Sequence, residues 1–148
     1  MNATEFIRQD HERIEELFRD FFETETETNL EDIFQLIETG LTAHSEMEEQ
    51  VFYPAVEEFA PEKVEEAMRE HAEVKEMLVD LLDADLNEDT FESKFQKLMA
   101  DVRRHVKEEE APGGVLAIAE ASLDRERLSK MANEMVNLQR RIKEDMAA

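Results

Sequence analysis

Each of the four histidines in this chain sits on the apolar stripe of a different helix-length segment. They are His11, His44, His71 and His105, and two of them are followed four residues later by a glutamate, Glu48 and Glu109. The unit His, long gap, His-x-x-x-Glu is thus written twice, with gaps of 33 and 34 residues. Residues four apart on an α-helix lie above one another on one face. His44 and Glu48 therefore point the same way, as do His105 and Glu109. Few folds bring four such stripes together, and helices packed side by side with the histidines inward is the simplest.

The stripes themselves are regular. From about Thr4 to Phe22, Ile7, His11, Ile14, Phe18 and Phe21 recur at spacings of three and four. A second segment starts near Leu30 and carries Ile33, Ile37, Leu41, His44, Glu48 and Val51, with Pro54 expected to kink or end it. Pro61 suits the first turn of a third, with Val64, Met68, His71, Val74, Leu78 and Leu81 on one face. Phe91, Phe95, Leu98, Val102, His105 and Glu109 form a fourth stripe, stopped at Ala111-Pro112-Gly113-Gly114. Leu128, Met131, Met135, Leu138 and Ile142 mark a fifth. Thr4, Asn29 and Asn87 are the candidate caps of the first, second and fourth segments, and Ser122 or Asp124 that of the fifth.

Only 3 glycines and 3 prolines are available for turns. The expected fold is all-α, an up-down-up-down antiparallel four-helix bundle over about residues 4–110. An additional C-terminal helix, about residues 122–146, is expected against its outside. The whole of 1–148 reads as one domain. The Phe and Met residues on the stripes read as core packing.

An absence of cysteine excludes disulfides, thiolate ligands and iron–sulfur clusters. The formal charge of −22 argues against nucleic acid or an anionic membrane surface as partner and reads as a solvated, self-repelling surface. No apolar run approaches the roughly 20 residues of a membrane span. The polar, acidic start is unlike a signal peptide, so the expected location is cytoplasmic.

Burying Glu48 and Glu109 costs several kcal/mol per charge unless a cation meets them. Apart from Lys75, no basic residue lies on the stripes within a turn. A pair of metal ions supplies the missing charge. Four nitrogen and two carboxylate ligands without sulfur suit Fe, Mn or Zn. With both carboxylates bridging, two octahedral ions keep open positions for a small molecule, the setting of dioxygen chemistry on iron. The Glu-x-x-His of ferritin-like sites is absent, since Arg8, Leu41, Met68 and Val102 stand three before the histidines. His-Glu-x-x-His, the zinc-protease motif, is absent too.

The segments DHERIEELF at His11, HSEMEEQVFYP from His44 to Pro54, EHAEVKEML at His71 and HVKEEE at His105 resemble the hemerythrin-like (HHE cation-binding) domain family. The resemblance covers about residues 5 to 110. It implies a non-haem di-iron centre, oxo- or hydroxo-bridged and spanned by two carboxylates. The metal ligands carried over are His11, His44, Glu48, His71, His105 and Glu109. Some relatives place the last carboxylate five residues after the histidine, which makes Glu110 a rival to Glu109; the repeat of the His44–Glu48 spacing favours Glu109. Oxygen-carrying members have a fifth histidine one turn after the third-helix histidine, where this chain has Lys75.

The resemblance implies binding of O2 or another small oxidant such as peroxide or nitric oxide, for sensing, storage or detoxification. The absent fifth histidine shifts the expectation away from simple oxygen carriage. The alternatives are a di-iron enzyme handling peroxide or nitric oxide, with Lys75 as proton donor, or an iron-responsive regulatory module.

Overall fold

The computed structural model describes residues 1–86 and 88–147, and at residues 27 and 28 the backbone alone. Helix accounts for most of the chain: α1 (Ala3–Glu23), α2 (Glu27–Met47), a π-helical turn (Glu48–Phe52), α3 (Tyr53–Val56), α4 (Pro61–Leu82), α5 (Asp89–Glu110), α6 (Val115–Ser122) and α7 (Arg125–Ala147). α1, α2, α4 and α5 form the expected four-helix bundle, in which α1 and α4 each touch both α2 and α5. The added C-terminal helix, α7, lies in the outer groove between α1 and α2 and buries Leu128, Met131 and Met135 there. No helix among the described residues is long and apolar enough to cross a membrane.

The expected stripes are buried, with a few exchanges. Met68 is exposed, and the smaller Ala67 takes the inward place on α4. On α7, Leu138 and Ile142 are half-buried while Gln139 is buried. The caps also differ from expectation. Asn2, not Thr4, caps α1 by accepting from the Glu5 N–H, and Thr4 donates its hydroxyl to the same Asn2 oxygen. Thr26, not Asn29, caps α2, and Asn29 supplies the N–H instead. Asn87 lies outside the described residues; Glu88 stands at the N-cap of α5. Asp124 caps α7 through the Arg127 N–H at 2.8 Å, whereas Ser122 ends α6.

Pro54 neither ends the second helix nor simply bends it. A proline inside an α-helix lacks one donor and crowds the carbonyl four residues back. Here the backbone widens into a π-turn just before it: the Tyr53 N–H bonds the Glu48 carbonyl five residues back, and Pro54 sits in the first turn of α3. The other break falls at the end of α5. Gly113 has a φ of 89°, in the left-handed region open to glycine. A Cβ on Gly114 would lie 2.4 Å from the Glu108 carbonyl oxygen, so only glycine lets the chain turn this tightly into α6. That eight-residue helix, with Val115, Leu116 and Ala119 buried, was not expected from the sequence.

The core falls into two apolar clusters. One gathers Phe18, Phe21, Phe34, Phe91 and Phe95 with aliphatic neighbours, and its Phe21 and Phe95 ring centroids are 4.5 Å apart. The other joins Ile7, Met47, Phe52 and Val56 to Leu116 of α6 and to Met131 and Met135 of α7. Each fully buried large side chain contributes about 1.5–3 kcal/mol. The four histidines belong to neither cluster; they form a polar layer between the two.

Candidate metal centre

All six sequence-predicted residues converge in that layer. His11, His44, Glu48, His71, His105 and Glu109 are each 7% exposed or less. α1 supplies His11, α2 His44, the first residue of the π-turn Glu48, α4 His71, and α5 both His105 and Glu109. Among the described residues, one set of ligand atoms comes from His11, His44, Glu48 and Glu109 and a second from Glu48, His71 and His105; within each set the atoms lie within 4.8 Å of one another. Glu48 belongs to both: its Oε1 is 2.9 Å from His44 Nε2 and 3.2 Å from His71 Nε2. Glu109 also reaches both sides, with Oε1 3.3 Å from His11 Nε2 and Oε2 3.5 Å from His105 Nε2.

The outward nitrogen of every histidine meets a carboxylate from a neighbouring helix. Asp10 of α1 takes His44 Nδ1 at 2.6 Å, and Glu49, beside Glu48, takes His71 Nδ1 at 3.1 Å. Glu70 of α4 takes His105 Nδ1 at 2.8 Å, and Glu110 of α5 takes His11 Nδ1 at 2.6 Å. The support thus passes round the bundle from α1 to α2, α4, α5 and back to α1. Each supporting carboxylate is the chain neighbour of an inward residue. Glu110 therefore lies on the outer side of His11, and Glu109 is the residue that enters the centre. A histidine whose Nδ1–H is held by a carboxylate presents the lone pair of its other nitrogen, the arrangement that orients and strengthens metal-binding imidazoles.

Several inner atoms have no other use. His11 Nε2, His44 Nε2, Glu48 Oε2 and Glu109 Oε1 are buried and make no hydrogen bond. His71 Nε2 and His105 Nε2 face each other at 3.1 Å. His44 Nε2 and Glu48 Oε1 are close in distance but not aligned as donor and acceptor. Buried polar atoms left unpaired this way are costly. A cation between them satisfies the whole set at once.

The charges respond to the crowding. Burial pushes His44 down, but Glu48 and Asp10 more than offset it and hold its pKa well above the usual value. His105 is likewise pushed down by burial and raised by Glu109 and Glu70, to about 10. Burial raises Glu109, yet His105 and His11 hold it well below the usual carboxylate range. Without a metal, protons on the imidazoles take over the neutralising role.

Besides Asp10, Glu49 and Glu70, the structure adds a residue inside the centre that the sequence reading missed. The Tyr53 hydroxyl donates to Glu109 Oε2 at 2.5 Å and lies 3.2 Å from Glu48 Oε1, 3.2 Å from His71 Nε2 and 3.4 Å from His105 Nε2. Burial and the charges of Glu48 and Glu109 raise its pKa well above 10. Its position depends on the π-turn. Five residues of regular α-helix would carry Tyr53 roughly 140° round the axis from Glu48, whereas an i to i+5 turn stacks the two. Lys75, by contrast, is exposed, at the rim of a groove that also touches His71 and Glu49. It is not part of the buried cluster.

The profile of the hemerythrin HHE cation-binding domain matches residues 2–112. The chain is 30% identical over 135 residues to a DNA nickase of Nostoc sp., an alignment covering 90% of this chain and 38% of the nickase. It therefore spans well under half the length of that relative. In fold it is similar to the crystal structure of a hemerythrin HHE cation-binding domain-containing protein from Mycobacterium kansasii, with a TM-score of 0.83 and 22% identity over 98% of this chain and 89% of that one.

Proposed function

The chain belongs to the hemerythrin HHE cation-binding domain family, and from that premise we propose that it is a non-haem di-iron protein that binds dioxygen or a related small oxidant. The observation that carries this reading is the set of buried, unpaired atoms (His11 Nε2, His44 Nε2, Glu48 Oε2 and Glu109 Oε1) directed at one shared space. The donor set is nitrogen and carboxylate oxygen, which iron accepts.

In this proposal His11, His44, His71, His105, Glu48 and Glu109 would hold the iron, Glu48 being common to both groups of ligand atoms. Iron held there would supply an accessible change of oxidation state and Lewis acidity toward a small ligand. The protein does the rest. Asp10, Glu49, Glu70 and Glu110 fix the tautomer and orientation of the four imidazoles. The phenylalanine-rich cluster on one side and the Met47–Phe52–Leu116 cluster on the other shield the layer from bulk water. Tyr53 stands on the His71–His105 side, where its hydroxyl serves as a further oxygen donor. The net charge of −22 favours a small neutral ligand over nucleic acid.

Tyr53 also favours a second reading, a di-iron enzyme that turns over peroxide or nitric oxide. An O–H bonded to Glu109 at the centre can hold and deliver a proton within hydrogen-bond reach of a small ligand. Lys75, on the exposed face, is replaced by Tyr53 in that role.

The test is anaerobic loading of the metal-free protein with ferrous iron, followed by addition of O2, peroxide or nitric oxide under a visible spectrometer. The binding reading expects oxo-bridge charge-transfer bands that form with O2 and persist. Repeated consumption of peroxide or nitric oxide supports the enzyme. Absence of both bands and turnover in a loaded protein contradicts the two.

A further inference from the structure

The apolar stripe of α7 is interrupted at one buried position. Leu128, Met131 and Met135 face the bundle at spacings of three and four, and Gln139 follows one turn later. Leu138 and Ile142, which would continue the apolar line, are only half-buried. Gln139 is 5% exposed, and its Nε2 makes no aligned hydrogen bond. Burying an amide donor without a partner is costly. A glutamine here therefore needs a reason that leucine or methionine would not.

The acceptor beside that amide is the Asp10 carboxylate. On α7 Met135 shares an apolar cluster with Ile7 of α1, and Val136 lines a groove with Phe6, Gln9 and Arg13. One turn further along the same seam stand Gln139 and Asp10. Asp10 is buried; its Oδ2 takes His44 Nδ1 at 2.6 Å and its Oδ1 takes Arg13 at 3.1 Å. Burial raises the Asp10 carboxyl, but His44, then Gln139 and Arg13, outweigh it and hold its pKa below the usual carboxylate value. Glu49 and Glu110, which support His71 and His11, are partly exposed and can take donors from water. Asp10 depends on donors from the protein.

We propose that Gln139 is a positioning residue of the metal centre: in the metal-loaded protein its Nε2–H donates to Asp10 and fixes the carboxylate that orients the His44 imidazole. The proposal rests on the metal-centre reading above. A chain of side chains then runs from α7 through α1 to α2, Gln139 to Asp10 to His44, and ends on a ligand atom. Carboxylates that hold a metal-binding imidazole set its tautomer and its aim, and a carboxylate that is itself held does so more rigidly. α7 lies beyond residues 2–112, the span matched by the domain profile. The link gives this added helix a part in the centre as well as in packing. It also separates two roles by sign. An apolar replacement relieves a buried unpaired amide and leaves the fold as stable or more so, whereas loss of a positioning amide weakens the hold on metal.

Isothermal titration of the metal-free full chain with Co2+ tests the role, with Gln139→Met as the variant because methionine keeps the length and loses the amide. Affinity is expected to fall about fivefold or more, while the metal-free melting temperature stays the same or rises. Met135→Leu repacks the same helix one turn away and is expected to bind within about twofold of wild type. In an Asp10→Ala background, Gln139→Met is expected to add no further loss, because the two residues act in one chain. In the wild type, the side-chain amide NMR signal of Gln139 is expected to shift on loading with diamagnetic Zn2+, while that of the exposed Gln96 stays in place. Equal affinity in Gln139→Met and wild type, the same loss with and without Asp10, or an unmoved Gln139 signal overturns the positioning role and leaves the centre standing. A loss matched by Met135→Leu assigns the effect to packing and overturns it too. A wild type that binds no Co2+ overturns the centre and the role together.

Discussion

Asp10 on α1 accepts a 2.6 Å hydrogen bond from Nδ1 of His44 on α2, and its side chain is only 4% exposed. The equivalent support of His11 by Glu110 has the same length but leaves the glutamate side chain 35% exposed. The two carboxylates should therefore differ in what they contribute. Asp10→Asn removes a buried charge that water cannot replace, and the expected fall in metal affinity is about 10- to 100-fold. Glu110→Gln should cost less, because solvent at that edge still accepts from the imidazole. Isothermal titration of both variants with Co2+ compares them, and an equal loss would show that burial does not grade the support.

Tyr53→Phe separates the phenol from its ring. The ring packing is kept, and the hydrogen bond to the Glu109 carboxylate is lost. Hydrogen bonds to charged groups contribute about 1.5–3 kcal/mol, so denaturant unfolding of the metal-free chain should show a loss in that range. In the iron-loaded protein the variant should also lose any phenolate charge-transfer absorption. An unchanged spectrum would remove Tyr53 from the donor set.

The pH dependence of the metal-free chain follows from His105. Its folded pKa of about 10 lies above the ordinary 6.5, chiefly because Glu109 and Glu70 overcome the opposing effect of burial. A raised pKa stabilises the fold fully below 6.5, and that contribution fades as pH climbs toward 10. The metal-free chain should thus melt at a lower temperature at pH 9.5 than at pH 6.5. Metal binding should run the other way, tightening as pH rises from 6 to 8, because the imidazoles must release protons to bind. Thermal melts with and without metal check both signs.

Lys75→Met should alter neither metal stoichiometry nor spectrum, since Lys75 is exposed. A change in either would bring the lysine into the centre.

The parts of this molecule legible from sequence are those with α-helical periodicity. His44 with Glu48 and His105 with Glu109 could be paired because four residues of α-helix return to the same face. The four bundle helices were legible for the same reason. Tyr53 was not, because a π-turn changes that period, and nothing in Gln50-Val51-Phe52-Tyr53-Pro54 beyond the proline announces one. The short α6 was hidden by its length and by its near-uniform apolar character. The supporting carboxylates did leave a trace: Asp10-His11 matches Glu70-His71, and Glu48-Glu49 matches Glu109-Glu110. An acid beside the first histidine and beside the inward glutamate repeats in both halves, and this pattern identifies the second layer once the first is placed.

The central claim is that two ions share Glu48 and Glu109. Metal analysis of the iron-reconstituted, desalted full chain tests it most directly. Two iron ions per chain, falling to one or none in Glu48→Ala, is the predicted result. One iron or fewer in the wild type would contradict the two-ion centre.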